Sequence, residues 1–148
     1  MLVKIIQQLL LRDLGKLRQE IESYKDERKI WYIEKSIANS AGNLVLHLVG
    51  NLNTYVGAVY GNTGYIRNRD LEFSQKDIPR AELLKRLDDT IAVVHSSLDN
   101  LKDEQLNEEY PLLVWKEKTS TAYMMMHLTT HLTYHLGQVN YHRRLLDN

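Results

Sequence analysis

Four segments of the sequence repeat their apolar residues about every 3.6 positions, and this period restricts the chain to a helical fold. No segment shows the strict alternation of apolar and polar residues that a strand requires. The connections between the segments are long, so we predict an all-α, four-helix bundle that forms a single domain over residues 1–148. The predicted helices run from Leu2 to Tyr24, from Ser36 or Ser40 to about Gly61, from Asp77 or Ile78 to about Leu101, and from about Ser120 to Leu146.

The composition excludes several classes of partner and site. Nineteen basic and nineteen acidic residues give a formal net charge of zero, whereas a nucleic-acid-binding protein usually has a basic excess. No apolar stretch is long enough to cross a membrane, so we expect neither nucleic acid nor a membrane as partner. The absence of cysteine excludes disulfides, thiolate ligands and a cysteine nucleophile, and it fits a cytoplasmic protein.

Two stretches of the chain contain no Asp, Glu, Lys or Arg, namely residues 36–66 and 119–142. They hold the second and fourth predicted helices, whereas the first and third are heavily charged. We therefore expect the second and fourth helices to be the more buried pair, with Asn, Thr, Ser, Gln and His in the interior. Buried polar groups need partners, so a polar interior often marks a functional site.

The segment HLTTHLTYHLG, residues 127–137, places His127, His131 and His135 at intervals of four. Such residues share one helix face with Cβ atoms about 6 Å apart, so two neighbouring imidazoles can bind one metal ion. The full set spans about 12 Å, which is too long for a single ion. One adjacent pair should therefore bind the ion, and His47, in a polar stripe of the other uncharged helix, is the candidate third ligand.

The remaining histidines and the surrounding residues define this site further. His95 lies on the charged third helix and His142 near the end of the chain, so we expect both on the surface. Leu128 and Leu132 occupy the positions where the HExxH motif has its glutamate. A three-histidine site without a carboxylate would keep its full +2 charge and favour an anionic ligand or water in its open positions. At this point a plain bundle with a hydrogen-bonded polar core remains the alternative.

Longer motifs resemble a known family. The pattern His-x-x-x-His-x-Gly-Gln at residues 131–138 resembles the last-helix signature of the DinB-like superfamily, and NSAGNLVLHLVGNL at residues 39–52 resembles its second-helix signature. Trp31 and RNRDLEF, residues 67–73, are similar to one uncharacterised bacterial branch. The resemblance covers nearly the whole chain and implies a DinB-like four-helix bundle in which sequential helices are not simply neighbours.

The resemblance also implies a site and partners. The family's metal ligands match His47, His131 and His135, and the ion is typically nickel or zinc. His127 is then an additional histidine, one turn before the ligand pair. Some relatives are thiol-dependent S-transferases or isomerases that use bacillithiol or mycothiol, and family members are often homodimers.

Two hypotheses of function follow. In the first, the protein is a metal-dependent transferase or hydrolase that activates an external low-molecular-weight thiol, or water, against a small-molecule substrate. In the second, it is a non-catalytic metal-binding or structural homodimer. The residues expected around the ligands or in the pocket above them are His127, Asn43, Asn51, Gln138 and Tyr134, for which packing and backbone capping are the alternative roles.

A charged connection lies between the second and third predicted helices. Arg67 and Arg69 in this segment have two interpretations: they contact an anionic substrate, or they belong to a solvated loop or pair with Asp70 and Glu72. We favour the second interpretation.

Overall fold

Five α-helices account for most of the chain in the computed structural model, which describes all 148 residues. There is no β-strand, and extended backbone pairs only at a single bridge between Glu109 and Ser120. The all-helical prediction is therefore confirmed. The helices are α1 (Leu2–Glu22), α2 (Ala41–Leu52), α3 (Arg69–Ser74), α4 (Arg80–Leu98) and α5 (Thr121–Leu146).

Short irregular helices extend or connect these elements. A 3₁₀ turn at Glu27–Trp31 follows α1, another at Asp103–Asn107 follows α4, and a π-helical segment at Asn53–Ala58 continues α2. The second predicted helix therefore corresponds to α2 and its π-helical extension. The helix α3 lies within residues that were predicted to be a connection, so that part of the prediction is wrong.

Local capping explains where two of the long helices begin. The Ser40 hydroxyl accepts a hydrogen bond from the Asn43 backbone N–H, and the Ser120 hydroxyl accepts one from the Tyr123 N–H. A serine at this position satisfies one of the free N–H groups of a helix's first turn. Of the two predicted starts of the second helix, Ser40 is therefore the right one.

The long helices alternate in their packing, so that each one contacts two of the others. Both α1 and α2 lie against α4 and against α5, and α2 also carries the short α3. Consecutive helices α1 and α2 are thus not the main neighbours of each other. Their apolar faces meet in one cluster of 28 buried residues, to which α1 contributes Ile6, Leu10, Leu14, Leu17 and Ile21. None of the helices combines the length and the hydropathy needed to cross a membrane.

The prediction that both uncharged helices are buried is right for α2 and wrong for α5. Eleven of the 12 residues of α2 are buried, but only seven of the 26 residues of α5. The outer face of α5 exposes Tyr123, Tyr134 and Tyr141, each by 58% or more of its surface. Tyrosine, threonine and glutamine face solvent without a formal charge, so the absence of charge did not imply burial.

The two histidines expected on the surface have different environments. His95 is exposed, as predicted. His142 is buried, because the end of α5 packs against the segment that follows α1. Its Nδ1 accepts a hydrogen bond from the Tyr24 hydroxyl at 2.7 Å, and its Nε2–H donates to the Tyr32 carbonyl at 2.9 Å. His142 is therefore a structural residue that ties α5 to this segment.

Candidate metal centre

Three histidines from two helices meet at one point between α2 and α5. The Nε2 atom of His131 lies 3.2 Å from Nε2 of His47 and 3.2 Å from Nε2 of His135. One ligand atom of each histidine lies within 4.8 Å of the other two. Neighbouring nitrogen ligands about 2.0–2.1 Å from a zinc ion stand about 2.8–3.4 Å apart in octahedral or tetrahedral geometry. The cluster therefore has the dimensions to hold a divalent ion.

Hydrogen bonds on the outer side of two rings fix which nitrogen faces the centre. Nδ1 of His47 lies 3.1 Å from a Glu72 carboxylate oxygen, and Nδ1 of His135 lies 2.7 Å from the Gln138 side-chain oxygen. The Glu72 and Gln138 oxygens accept, and Glu72 is closer to Nδ1 of His47 than Nη2 of Arg67 is, at 3.4 Å, so both Nδ1 atoms carry a proton and both Nε2 atoms present lone pairs. This is the arrangement found in metal-binding histidines.

The three histidines have too few N–H groups to hydrogen-bond all the nitrogen lone pairs at the centre of the cluster. The lone pairs of His47 and His135 both point at Nε2 of His131, whose single proton can serve only one of them. Additional protons are disfavoured, because burial and then the neighbouring histidines lower the pKa of His131 to about 4. A shared metal cation resolves this conflict, so the donor set fits a metal ion.

Glu72, which the sequence suggested only as a partner for an arginine, also contacts the histidine cluster. It belongs to the six-residue α3, begun by an Asn68 side chain that accepts a hydrogen bond from the Leu71 N–H. Its carboxylate also accepts hydrogen bonds from Arg67, at 2.8 Å from Nε and 2.9 Å from Nη2. Burial raises the pKa of Glu72, but hydrogen bonds from His47 and Arg67 outweigh it, so the pKa lies below its ordinary value. The carboxylate is therefore ionised at neutral pH.

Two features of α2 bring Glu72 close to His47. The Asn43 side chain donates hydrogen bonds to the backbone carbonyls of Glu72 and Gln75, at 2.9 and 2.8 Å, and so fastens the end of α3 to α2. A Cβ at Gly50 would overlap the Glu72 carboxylate. The glycine in the middle of α2 therefore leaves the space that this carboxylate occupies.

The sequence predicted a site without a carboxylate, in which a bound ion keeps its full +2 charge. The structure has a carboxylate beside the site, but the net charge of the protein groups is close to that prediction. Glu72 contacts His47, but the Arg67 guanidinium neutralises it. A bound divalent ion would thus keep most of its +2 charge. The favoured pairing of Arg67 with Glu72 is confirmed, whereas Arg69 stacks over the Phe73 ring at 5.3 Å.

Some of the residues predicted to surround the ligands contact them, and others do not. Gln138 contacts the ligand His135 by a hydrogen bond. The ring of Tyr134 lies 5.3 Å from that of His135, but the side chain is 66% exposed. His127 stacks beside His131 with 5.7 Å between ring centroids, and the Trp115 ring meets its other side at 4.7 Å.

The two asparagines have different surroundings. Asn43 serves the capping role described above and does not face the cluster's centre. Asn51 is 6% exposed, one turn beyond His47 on α2, and its side-chain oxygen has no hydrogen-bond partner. Nδ1 of His131 is likewise buried without a partner. The protein's own contacts therefore leave these two buried polar atoms unsatisfied.

A large cavity opens beside the cluster. Its volume is about 1020 Å³, and His135 and Gln138 form part of its wall. Tyr134 also lines it, but His127, Asn43 and Asn51 do not. The three-histidine cluster therefore has open space on the side of His135.

The fold and site define an all-helical protein with a three-histidine cluster that could hold a divalent metal ion. Residues 5–148 match the family described as protein of unknown function (DUF1572), and the chain belongs to this family. No curated protein matches the chain. The family description names no activity, so the chemistry of the site has to carry any functional argument.

Proposed function

We propose that the protein is a metal-dependent enzyme of the DinB-like superfamily, a four-helix bundle with nickel or zinc at His47, His131 and His135. Its nucleophile would be an external low-molecular-weight thiol or water. The observation that carries this proposal is the meeting of three Nε2 atoms whose rings are oriented from outside by Glu72 and Gln138. Imidazole ligands suit nickel and zinc, among other transition metals.

The chemistry of the ion and the composition of the chain together favour an external thiol. A divalent cation with neutral ligands lowers the pKa of a bound thiol or water and so supplies a nucleophile near neutral pH. The chain has no cysteine of its own. A thiol nucleophile would therefore have to enter from solution, and the cavity beside His135 offers a route.

The protein's own residues would orient and insulate the site. Glu72 keeps the proton of His47 on Nδ1, and Arg67 keeps Glu72 ionised and in place. Gln138 does the same for His135 from the other side. The Tyr134 side chain lines the cavity, where it would be accessible to a substrate.

A thiol-transfer assay tests this function. Protein loaded with Ni²⁺ or Zn²⁺ is supplied with bacillithiol, mycothiol or glutathione and a chromogenic electrophile, and activated esters test for hydrolysis. We expect turnover in the wild type, loss of it in His131→Ala, and its retention in His95→Ala, an exposed histidine outside the cluster. No turnover with any thiol or ester by the metal-loaded wild type would contradict the enzymatic proposal.

A non-catalytic, metal-binding or structural homodimer is the second candidate. The uncharged outer face of α5 supports it, because Tyr123, Tyr134 and Tyr141 are all largely exposed there. Tyrosine is enriched at protein interfaces. Light scattering of the wild type should then give the mass of two chains, and Tyr123→Glu should shift it toward one. A wild type that is monomeric at every concentration would contradict the dimer.

A further inference from the structure

The cavity beside the metal centre is elongated along the last third of α5. It begins at His135 and reaches Leu145 and Leu146 near the helix end. Ten residues separate His135 from Leu145, which corresponds to about 15 Å along a helix. The opposite wall is the irregular segment of residues 32–39, which His142 ties to α5 through the Tyr32 carbonyl.

The walls of this cavity are largely apolar and are left open by the protein. Tyr141 and Leu145 on α5, and Tyr32 and Ile37 on the opposite segment, remain between 39% and 65% exposed. Because these side chains face a cavity rather than one another, an elongated apolar molecule would cover surface that water now contacts. Burial of such surface is the main favourable term in binding of this kind.

Two of the residues that line the cavity are basic and one is acidic. Lys29, Lys35 and Glu34 form no ion pair, although the Asp147 carboxylate lies near Lys29. The position of Lys29 follows from the contacts of its neighbours. The backbone N–H groups of Lys25 and Asp26 donate to the carboxylate of Asp147, just beyond the end of α5.

We propose that this cavity binds an extended organic acid of about 15 Å, with an apolar body along α5 and its acid group at Lys29 and Lys35. The end of the molecule opposite the acid then lies at His135. This inference rests on the proposed function in one respect, namely that the bound acid would be the substrate of the enzyme. The binding itself depends on the lysines and the apolar walls, and it requires no metal.

Displacement of a neutral fluorescent probe tests the proposal. N-phenyl-1-naphthylamine reports occupation of the cavity in protein treated with a chelator, and dodecanoate, its methyl ester and hexanoate compete for it. We expect dodecanoate to bind about fivefold more tightly than the ester, the advantage of one partly exposed ion pair. Hexanoate, which is too short to cover the apolar walls, should bind more weakly than either.

Matched lysine variants assign the acid's position. Lys29→Met should reduce the advantage of dodecanoate over its ester, and Lys29→Met combined with Lys35→Met should abolish it. Lys25→Met, at an exposed lysine outside the cavity, should leave it unchanged. Equal affinities of acid and ester in the wild type, equal effects of the Lys25 and Lys29 variants, or no uptake of the probe would each overturn the proposal.

The same experiment separates this proposal from the proposed function. Acid binding by protein that takes up no metal would leave the acid site standing and overturn the metal-dependent enzyme. Stoichiometric metal binding without acid binding would overturn the ligand class and leave the metal centre standing.

Discussion

Replacing Glu72 by glutamine removes the charge that orients His47 and keeps the size of the side chain. The Glu72 side chain is 6% exposed and accepts hydrogen bonds from His47 and from two nitrogens of Arg67. Glutamine has one acceptor oxygen and a donor NH₂ group in place of two acceptor oxygens. If its oxygen faces His47, the NH₂ group meets the donors of Arg67. If its NH₂ faces His47, the ring proton moves to Nε2 and blocks the metal position.

Either orientation weakens metal binding, and one of them also weakens the fold. Loss of a carboxylate that orients a ligating histidine costs about 10–100-fold in metal affinity, or about 1.4–2.7 kcal/mol. Removing one partner of a buried ion pair costs about 3–5 kcal/mol of unfolding free energy. The Arg67 side chain is 14% exposed and retains some contact with water. We therefore expect Glu72→Gln to lower the unfolding free energy of the metal-free protein by about 2–3 kcal/mol.

Two titrations measure these effects. Competition with a chromophoric chelator gives the Ni²⁺ and Zn²⁺ affinities, and urea unfolding of metal-free protein gives the stability. Asp70→Asn is the control, since Asp70 is exposed on the same short helix and forms no ion pair. Arg67→Met combined with Glu72→Gln should recover stability but not metal affinity. Metal affinities of Glu72→Gln and Asp70→Asn that agree within error would refute the role given to Glu72.

Three further predictions concern the stability of the fold. Gly50→Ala should lower the unfolding free energy by about 1–3 kcal/mol, because the new Cβ would overlap Glu72, and should weaken metal binding with it. Gly137→Ala, whose Cβ would meet open space, should instead raise it by about 0.5–1 kcal/mol, as urea unfolding can show. Burial lowers the pKa of His142 below 6.5, although a hydrogen bond to a backbone carbonyl opposes this. Below about pH 6.5 the unfolded chain therefore binds a proton at His142 more readily than the folded chain does. The stability contribution of His142 is fully present above about pH 6.5 and is lost as the pH falls below it. Thermal unfolding of metal-free protein should show a shallower pH dependence for His142→Gln, and an unchanged dependence would contradict this.

The features that the sequence predicted correctly are carried by local patterns. Helical periods, serine caps such as Ser40 and Ser120, and the interval of four between His131 and His135 each depend on residues within a few turns of one another. The uncharged stretch around His47 marked a second polar helix, and the structure brings that histidine to the other two. Spacing and charge pattern thus predicted one adjacent pair together with His47, and the family resemblance selected His131 and His135 as that pair.

The features that the sequence did not predict depend on contacts between distant segments. Glu72 reaches His47 because Asn43 fastens α3 to α2 and Gly50 leaves room for the carboxylate, and no local pattern reports either contact. His142 is buried by Tyr24 and Tyr32, which lie more than 100 positions earlier in the chain. The cavity forms between α5 and residues 32–39, a segment without helical period, so no periodicity analysis could have located it.

The metal content of protein purified without a histidine tag tests the central claim most directly. Elemental analysis should find close to one nickel or zinc ion per chain in the wild type and in His95→Ala, and almost none in His131→Ala. A wild type that is folded, contains no metal and takes up neither ion on titration would contradict the claim that His47, His131 and His135 form a metal centre.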